Sequence, residues 1–332
     1  MSVVFPVATW TPPYASVEPT HPMRRRSQPR QKSSSAGPMT VARRRAISSF
    51  GLIQHKLAEM AIRIFAVESM VWRVVGQIES QLEGFSWSQP DAPRTYLKAV
   101  EEFAAECSII KVYASEMLDY VADEGVQIHG GYGFHQDYRV ERVYRDARIN
   151  RIFEGTNEIN RLLTTGMLFK RAQKGRLGLV KAAQAVMADI VAGPAIPDAP
   201  EHEQLVRNAR KIVLLLMGVA YQKYVADLDK QQEVVAGITD ALTEAFAMET
   251  VWLRSRRLER EQSADICEVF LRDAMARIET TARTVLGACA EGDTLRTHMA
   301  VLRRFAKYQP ADAIAARRRI AGRLLAAGKY TS

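Results

Sequence analysis

Apolar residues recur every three or four positions from Ile47 to the end of the chain, and this spacing most constrains the fold. It gives each segment one apolar face, which is the pattern of an amphipathic α-helix rather than of a β-strand. The first two runs cover residues 52–78 and 96–121, and shorter runs are predicted over 140–150 and 157–170. Because no segment alternates in the manner of a strand, the sequence predicts an all-α fold.

The helical spacing resumes after Gly175 and is interrupted by the proline-rich stretch 193–200. Further helices are predicted near 201–228, 232–260, 263–290, 295–308 and 311–327. The predicted architecture is a four-helix up-and-down bundle followed by a second helical region. We therefore divide the chain into a tail (1–45), a bundle (46–172) and an additional helical domain (173–332).

The tail contains seven prolines and almost no periodicity, so we expect it to be disordered. Residues 1–50 hold eight basic side chains against Glu18 and carry seven of the nine net positive charges. A basic tail on a nearly neutral body argues against nucleic-acid binding. An Arg- and Ser-rich leader could be a mitochondrial transit peptide, but the prolines oppose the helix that such a peptide forms. We therefore favour a non-native or vestigial extension, and a cytoplasmic protein unless the tail is such a peptide.

Cysteine and histidine placement gives no sign of a metal centre. Cys107, Cys267 and Cys289 are far apart and form no C-x-x-C pair, which predicts buried, reduced thiols in an intracellular protein. His129 and His135 flank a glycine loop, but no carboxylate lies at ligand spacing from them. We expect no metal.

Glu154 lies between Phe153 and Gly155, just before Thr156, a residue type suited to cap the helix that follows. On residue types alone, an acid at this place more often belongs to a helix start than to a catalytic site. The glycine loop at 130–133 is not a dinucleotide-binding fingerprint, because no strand precedes it and the G-x-G-x-x-G spacing is absent.

Three segments, taken in order, carry more information than any one of them. Residues 127–134 (QIHGGYGF), 144–149 (YRDARI) and 152–159 (IFEGTNEI) closely resemble the C-terminal domain of acyl-CoA dehydrogenases. Residues 50–54 (FGLIQ) and 56–60 (KLAEM) also match, most closely the very-long-chain branch. That branch has an added helical region after the bundle, as this chain is predicted to have.

The resemblance implies a reaction and a base. Enzymes of this family remove the α-hydrogen of an acyl-CoA thioester as a proton, while FAD accepts the β-hydrogen as hydride. Glu154 matches the family's catalytic base. Phe153 and Gly155 match positions at the substrate, where an apolar Phe153 would desolvate the carboxylate and raise its pKa, and Gly155 would leave room for the thioester. The backbone N–H of Glu154 would help polarise the thioester carbonyl.

The resemblance also implies contacts with FAD. Thr156 and Glu158 match positions that touch the flavin, at a helix start where N–H groups suit its oxygens and phosphates. Gln127 and Gly131 match a segment that reaches the FAD of a neighbouring subunit, although a turn between two helices needs glycine in any case. The implied partners are an acyl-CoA substrate, electron-transfer flavoprotein as acceptor, and a second copy of the chain or a separate N-terminal half.

Charged clusters elsewhere are interpreted as surface. Residues 144–148 are expected to form helix-surface and inter-helix charge pairs rather than to catalyse. The clusters Arg303–Arg304 and Arg317–Arg319 are expected to be solvated, although a role at an anionic membrane surface is an alternative.

The chain also departs from the family pattern. Complete members carry a helical domain and a β-domain ahead of this bundle, and residues 1–45 are too short to replace them. The family's Arg-x-x-Phe-Gly flavin contact is not matched by residues 41–49. We therefore expect a truncated product or one half of a split enzyme. The two hypotheses are a dehydrogenase subunit that needs its other half and a non-catalytic helical fragment that keeps only the oligomerisation surface.

Overall fold

A computed structural model describes residues 46–193 and 199–331, and within these ranges the chain forms α-helices and no strand. The all-α prediction is confirmed, whereas the predictions for the tail lie outside the described residues. The helices are α1 (Gly51–Gln81), α2 (Ala92–Glu102), α3 (Ala104–His129), α4 (Arg139–Ala147), α5 (Asn157–Gln173), α6 (Leu179–Val191), α7 (Glu201–Tyr224), α8 (Gln232–Leu258), α9 (Glu261–Cys289), α10 (Gly292–Phe305) and α11 (Ala313–Ala327). Short 3-10 helices cover Ile47–Ser49, Gly130–Phe134, Arg148–Arg151 and Val225–Lys230.

The second predicted helix is in fact two helices, α2 and α3, which meet at Phe103. The amide of Phe103 donates to the carbonyl of Val100, and the carbonyl of Phe103 accepts from the amide of Cys107. One helix therefore ends and the next begins around a single residue. The apolar spacing continues across this junction, so the periodicity alone could not reveal the break.

The helices α1, α3 and α5 pack side by side in alternating directions. Lys56 near the start of α1 pairs with Glu124 near the end of α3. In the same way, Arg171 near the end of α5 lies 3.8 Å from Glu106 near the start of α3. Neighbouring helices thus run antiparallel, as in an up-and-down bundle.

The fourth side of this bundle is closed by α8, which packs against both α1 and α5. Arg254 of α8 donates to Glu68 of α1 at 3.1 Å, and its guanidinium lies over the Phe65 ring. On the other flank, the hydroxyls of Thr165 in α5 and Thr239 in α8 are 2.6 Å apart, and both residues are buried. The domain boundary between residues 172 and 173 stays a prediction. Helices on its two sides, α8 on one and α1 and α5 on the other, contact each other extensively.

A second group of helices, α7, α8 and α9, continues the same core, with α11 packed on α1 and α9. One cluster of buried apolar side chains includes Phe65 and Met70 of α1 together with Leu216, Met248 and Ile278 of the later helices. Each of these five side chains is at most 2% exposed. The hydrophobic core therefore extends from the first bundle into the C-terminal region.

The prediction of buried thiols holds for two of the three cysteines. Cys267 and Cys289 are buried and free, and burial raises the pKa of Cys267 to about 12. Cys107 is exposed, so that part of the prediction is wrong. Cys107 belongs to a predicted apolar run, which suggested burial. In the structure it lies in the first turn of α3, and its side chain is exposed there.

Candidate functional site

Glu154 lies in the short turn that joins the 3-10 helix Arg148–Arg151 to α5. Its backbone has a φ of 54°, and the following Gly155 has a φ of 80°. A left-handed conformation is unusual for a residue with a side chain. The carboxylate is exposed, and within the described residues it forms no hydrogen bond or ion pair. The turn thus presents an unengaged carboxylate at the surface.

Side chains from α3 and α5 hold the backbone just after Glu154. The ammonium of Lys111 donates to the carbonyl of Gly155 at 2.7 Å and to the side-chain oxygen of Asn157 at 2.8 Å. The amide of Asn160 donates to the carbonyl of Gly155 at 2.8 Å. Sequence reasoning missed these three residues, because a lysine 43 positions before Glu154 carries no local signal of its role.

Phe153 does not shield Glu154 in this structure. Its side chain is 48% exposed, and the Glu154 carboxylate beside it is exposed as well. Phe153 by itself therefore leaves the carboxylate open to solvent, and its role in desolvating Glu154 stays a prediction. A dry pocket around Glu154 needs covering groups in addition to the described residues.

Thr156 caps α5 as predicted: its hydroxyl oxygen accepts from the amide of Ile159 at 3.3 Å. Glu158 lies in the first turn of α5 and is exposed. Hydrogen bonds from its own backbone N–H and from the Thr156 side chain hold the pKa of Glu158 below its ordinary value. Both side chains thus lie at the start of α5, next to the Glu154 turn.

Gln127 and Gly131 lie elsewhere, at the far end of α3, where both are exposed. Lys111, which contacts Gly155, precedes Gln127 by 16 positions in the same helix, a rise of about 24 Å. The structure therefore brings Thr156 and Glu158 close to Glu154, but not Gln127 and Gly131. The five polar or glycine positions form two separate groups on one bundle.

The glycines around the end of α3 differ in what they do. Gly130 has a φ of 59°, which suits the turn after α3, and a Cβ at Gly133 would lie 2.5 Å from the carbonyl oxygen of Val126. Gly131 has neither constraint, because a Cβ there would meet no atom within 4 Å and its φ is not positive. Local structure explains Gly130 and Gly133 but does not require glycine at Gly131.

The C-terminal arginines are largely engaged within the chain. Arg317 pairs with Glu59 at 2.7 Å, Arg323 pairs with Asp265 at 2.6 Å, and Arg319 pairs with the same Asp265. These contacts attach α11 to α1 and α9, so Arg317 and Arg319 are not simply solvated. Arg145 pairs with Glu141 one turn earlier in α4, as expected for a helix surface.

Two features are absent from the residues that the structure describes. These residues contain no group of three or more His, Cys, Asp or Glu side chains placed to hold a metal ion. None of their helices combines the length and the apolar character that crossing a bilayer requires.

Comparison with known proteins agrees with this architecture. Residues 39–167 and residues 208–304 each match a family model described as acyl-CoA dehydrogenase, C-terminal domain. A probable acyl-CoA dehydrogenase of Bacillus subtilis is 40% identical over 298 residues, which are 86% of this chain and 50% of that protein. The very-long-chain specific acyl-CoA dehydrogenase of Bos taurus is 29% identical over 260 residues, which are 70% of this chain and 37% of that protein.

A solved structure gives the same result. The acyl-CoA dehydrogenase from Bacillus anthracis, complexed with FAD, superposes with a TM-score of 0.84 at 41% identity, over 88% of this chain and 52% of that one. The chain thus spans about half the length of the Bacillus subtilis relative and of this solved structure. Its resemblance to the very-long-chain dehydrogenases lies in the C-terminal part of those enzymes. The chain belongs to the acyl-CoA dehydrogenase family and carries that family's helical C-terminal domain.

Proposed function

We propose that this chain supplies the base-carrying part of an FAD-dependent acyl-CoA dehydrogenase, with Glu154 as the group that removes the α-proton of the acyl-CoA. The observation that carries the proposal is the turn at Glu154. Its carboxylate is exposed and unengaged among the described residues, and its left-handed backbone is held from two helices. Unusual backbone conformations of this kind persist where the surrounding structure fixes them, often at functional sites.

FAD, when bound, takes the β-hydrogen as hydride, and electron-transfer flavoprotein is the acceptor that the family resemblance favours. Thr156 and Glu158 would contact one flavin beside Glu154. Gln127 and Gly131 would contact a second flavin, because the two groups lie about 24 Å apart along α3. The absence of any local need for glycine at Gly131 fits a position where another molecule approaches the backbone. This arrangement supports a homodimer in which each chain serves two flavins.

The exposure of Phe153 and Glu154 bears on what else the site needs. A carboxylate open to water is a weak base for an α-proton, since burial raises its pKa toward the working range. We therefore propose that the flavin-binding parts of the enzyme cover this turn and complete the substrate pocket. The chain alone would bind little FAD and would not turn over substrate.

The test uses a chimera that joins the N-terminal half of the Bacillus subtilis relative to residues 46–332. Replacing Glu154 by Gln keeps the shape of the side chain and removes its ability to accept a proton. We expect kcat to fall by roughly 100- to 10,000-fold, as for other general bases. Turnover of fatty acyl-CoA with electron-transfer flavoprotein or a dye as acceptor measures it.

Glu158→Gln is the matched control, since Glu158 is also exposed and lies only four positions away. Once FAD is saturating, this variant should keep the proton-transfer step. A Glu154→Gln chimera that retains turnover within a factor of about two would place the base elsewhere.

A second candidate is a non-catalytic helical protein that keeps only the association surface. The observation in its favour is the exposure of two aromatic side chains in the loop after α3, since Tyr132 is 65% exposed and Phe134 is 83% exposed. Large exposed aromatics often mark an interface. A chimera that binds FAD and forms dimers but has no Glu154-dependent turnover would favour this candidate.

A further inference from the structure

The turn at Glu154 has a left-handed backbone, and two side chains donate hydrogen bonds to its Gly155 carbonyl. Glu154 and Gly155 both have positive φ values, and for a residue with a side chain such a conformation is disfavoured. The carbonyl of Gly155 accepts two hydrogen bonds, from Lys111 at 2.7 Å and from Asn160 at 2.8 Å. These bonds fix the orientation of the peptide unit that follows Gly155, and with it the conformation of the turn that carries Glu154.

The acceptor that orients Lys111 is itself rigidly held. Asn157 is 3% exposed, and its side-chain oxygen accepts from Lys111 at 2.8 Å. Its side-chain nitrogen donates to Ser115 at 3.0 Å and to Glu116 at 3.1 Å, both one turn further along α3. Because a buried amide with all its hydrogen bonds made cannot rotate freely, Asn157 leaves the ammonium of Lys111 one favourable position.

The same group of residues connects to α8. Arg161, one turn after Asn157, lies 2.8 Å from Glu116 and 2.7 Å from Asp240 of α8. Burial alone would lower the pKa of Arg161, but hydrogen bonds with Glu116 and Asp240 outweigh it and raise that pKa. Arg161 therefore stays charged and links Glu116 of α3 to Asp240 of α8. The group of residues that holds Lys111 is thus attached to α8 as well as to α3.

We infer that Lys111 is a positioning residue for Glu154, fixing the strained turn so that the carboxylate points in one direction. The inference rests on the proposed function, because it assigns Lys111 a role in placing the base. Lys111 does not take part in proton transfer. Its ammonium is engaged by the Gly155 carbonyl and Asn157, and it acts on the reaction through the conformation of the turn.

The first measurement is amide hydrogen exchange on the full chain. In the structure the amides of Phe153, Ile159 and Asn160 are hydrogen-bonded around the turn, to Ile149 and Thr156. Lys111→Met removes the donor but keeps the length of the side chain, and we expect these amides to exchange about tenfold faster. Amides within α9 serve as an internal reference and should be unchanged, which separates local loosening from global unfolding.

Two matched variants accompany it. Lys98→Met removes an exposed lysine of α2 and should leave exchange at the turn as in the parent chain. Lys111→Arg keeps a charged donor able to reach two acceptors and should restore most of the protection. Unchanged exchange at Phe153, Ile159 and Asn160 in Lys111→Met would overturn the inference, whatever Glu154 does in catalysis.

The second measurement is made in the chimera described above. Lys111→Met should lower kcat about tenfold with little change in KM, because a misdirected base affects the transition state more than substrate binding. Faster exchange with an unchanged kcat would reduce Lys111 to a purely structural contact and overturn its positioning role. Failure of the proposed function is seen separately, as retained turnover in Glu154→Gln.

Discussion

Gly131 and Gly133 lie in the same loop, but the fold of the described residues requires glycine only at Gly133. A Cβ at Gly133 would lie 2.5 Å from the Val126 carbonyl oxygen and 2.8 Å from the His129 Cβ. We expect Gly133→Ala to lower the free energy of unfolding by about 1–3 kcal/mol, as overpacking usually does. Thermal unfolding followed by circular dichroism measures the loss.

Gly131→Ala is the companion change, because a Cβ at that position meets open space. Its free energy of unfolding should stay within about 0.5 kcal/mol of the parent chain. In a chimera that binds FAD, however, the added methyl should weaken FAD retention if Gly131 faces a neighbouring flavin. Equal thermal shifts for the two variants, or unchanged FAD retention in Gly131→Ala, would contradict this assignment.

For individual residues, the sequence predicted a local role such as helix capping better than it predicted the solvent exposure of a side chain. Thr156 caps α5 as expected, whereas the assignment of Glu154 as the catalytic base stays a prediction. The exposure of Phe153 was not predictable, because a motif implies the environment of a whole enzyme while the described residues supply only part of it. Lys111 was also out of reach, since its contact with Gly155 depends on how α3 and α5 pack.

Among the helices, α11 shows how a basic cluster is used structurally. Asp265 of α9 accepts hydrogen bonds from Arg319 and Arg323 of α11. Burial alone would raise the pKa of Asp265, but these bonds outweigh it, and the pKa lies below its ordinary value. A carboxyl with a depressed folded-state pKa stabilises the fold above its unfolded-state pKa of about 3.9 and loses that contribution as the pH falls through the folded value.

The corresponding prediction is a pH-dependent loss. Asp265→Asn should lower the free energy of unfolding by about 1–3 kcal/mol at pH 7, since each hydrogen bond to a charged group contributes at that level. The difference from the parent chain should shrink at pH values below about 3.9, because Asp265 takes up a proton first in the unfolded chain and then, at lower pH, in the folded chain. Urea unfolding at the two pH values measures it, and an equal loss at pH 7 and pH 2.5 would exclude the mechanism.

Asp293→Asn is a suitable control, because Asp293 also pairs with an arginine but is 92% exposed. Exposed ion pairs contribute little, so this variant should be nearly neutral at both pH values.

Helix positions were largely predictable from the 3.6-residue period, and helix ends were less so. The predicted helix over 232–260 corresponds to α8, and that over 311–327 to α11, within two residues at each end. The junction at Phe103 was missed because the apolar face continues through it. The 3-10 helix after α7 was also missed, since Val225 adopts a φ of 40° that no local residue pattern announces.

For the whole molecule, the periodicity could not predict that α8 packs against both the first bundle and the later helices. Amphipathic spacing says that a helix has an apolar face, but not which helices share it. Residues of α8 contact α1 and α5 on one side and α7 and α9 on the other. The bundle was predicted over 46–172 because its helices follow one another in the chain. In the structure, α8 packs against α1 and α5 as a fourth helix, and α8 lies beyond that range.

This arrangement predicts that residues 46–172 do not fold alone. Without α8, Phe65 loses the guanidinium of Arg254 over its ring, and Thr165 loses its buried partner Thr239. Phe65 and Met70 are both 0% exposed and belong to the core cluster shared with α7, α8 and α9. Uncovering these two side chains alone costs about 3–6 kcal/mol, comparable with the roughly 5–15 kcal/mol by which a domain is stable.

We therefore expect a chain of residues 46–172 to show no cooperative thermal transition by circular dichroism at 222 nm. A chain of residues 46–331 retains every helix of the structure and should melt cooperatively, which makes it the matched control. A partial rescue is also expected when residues 199–331 are added in trans, because α8 then supplies Arg254 and Thr239 to the exposed flanks of α1 and α5. If the short chain instead melts cooperatively within about 5 °C of the control, the boundary at 172/173 separates two independent domains and α8 only packs against a finished bundle.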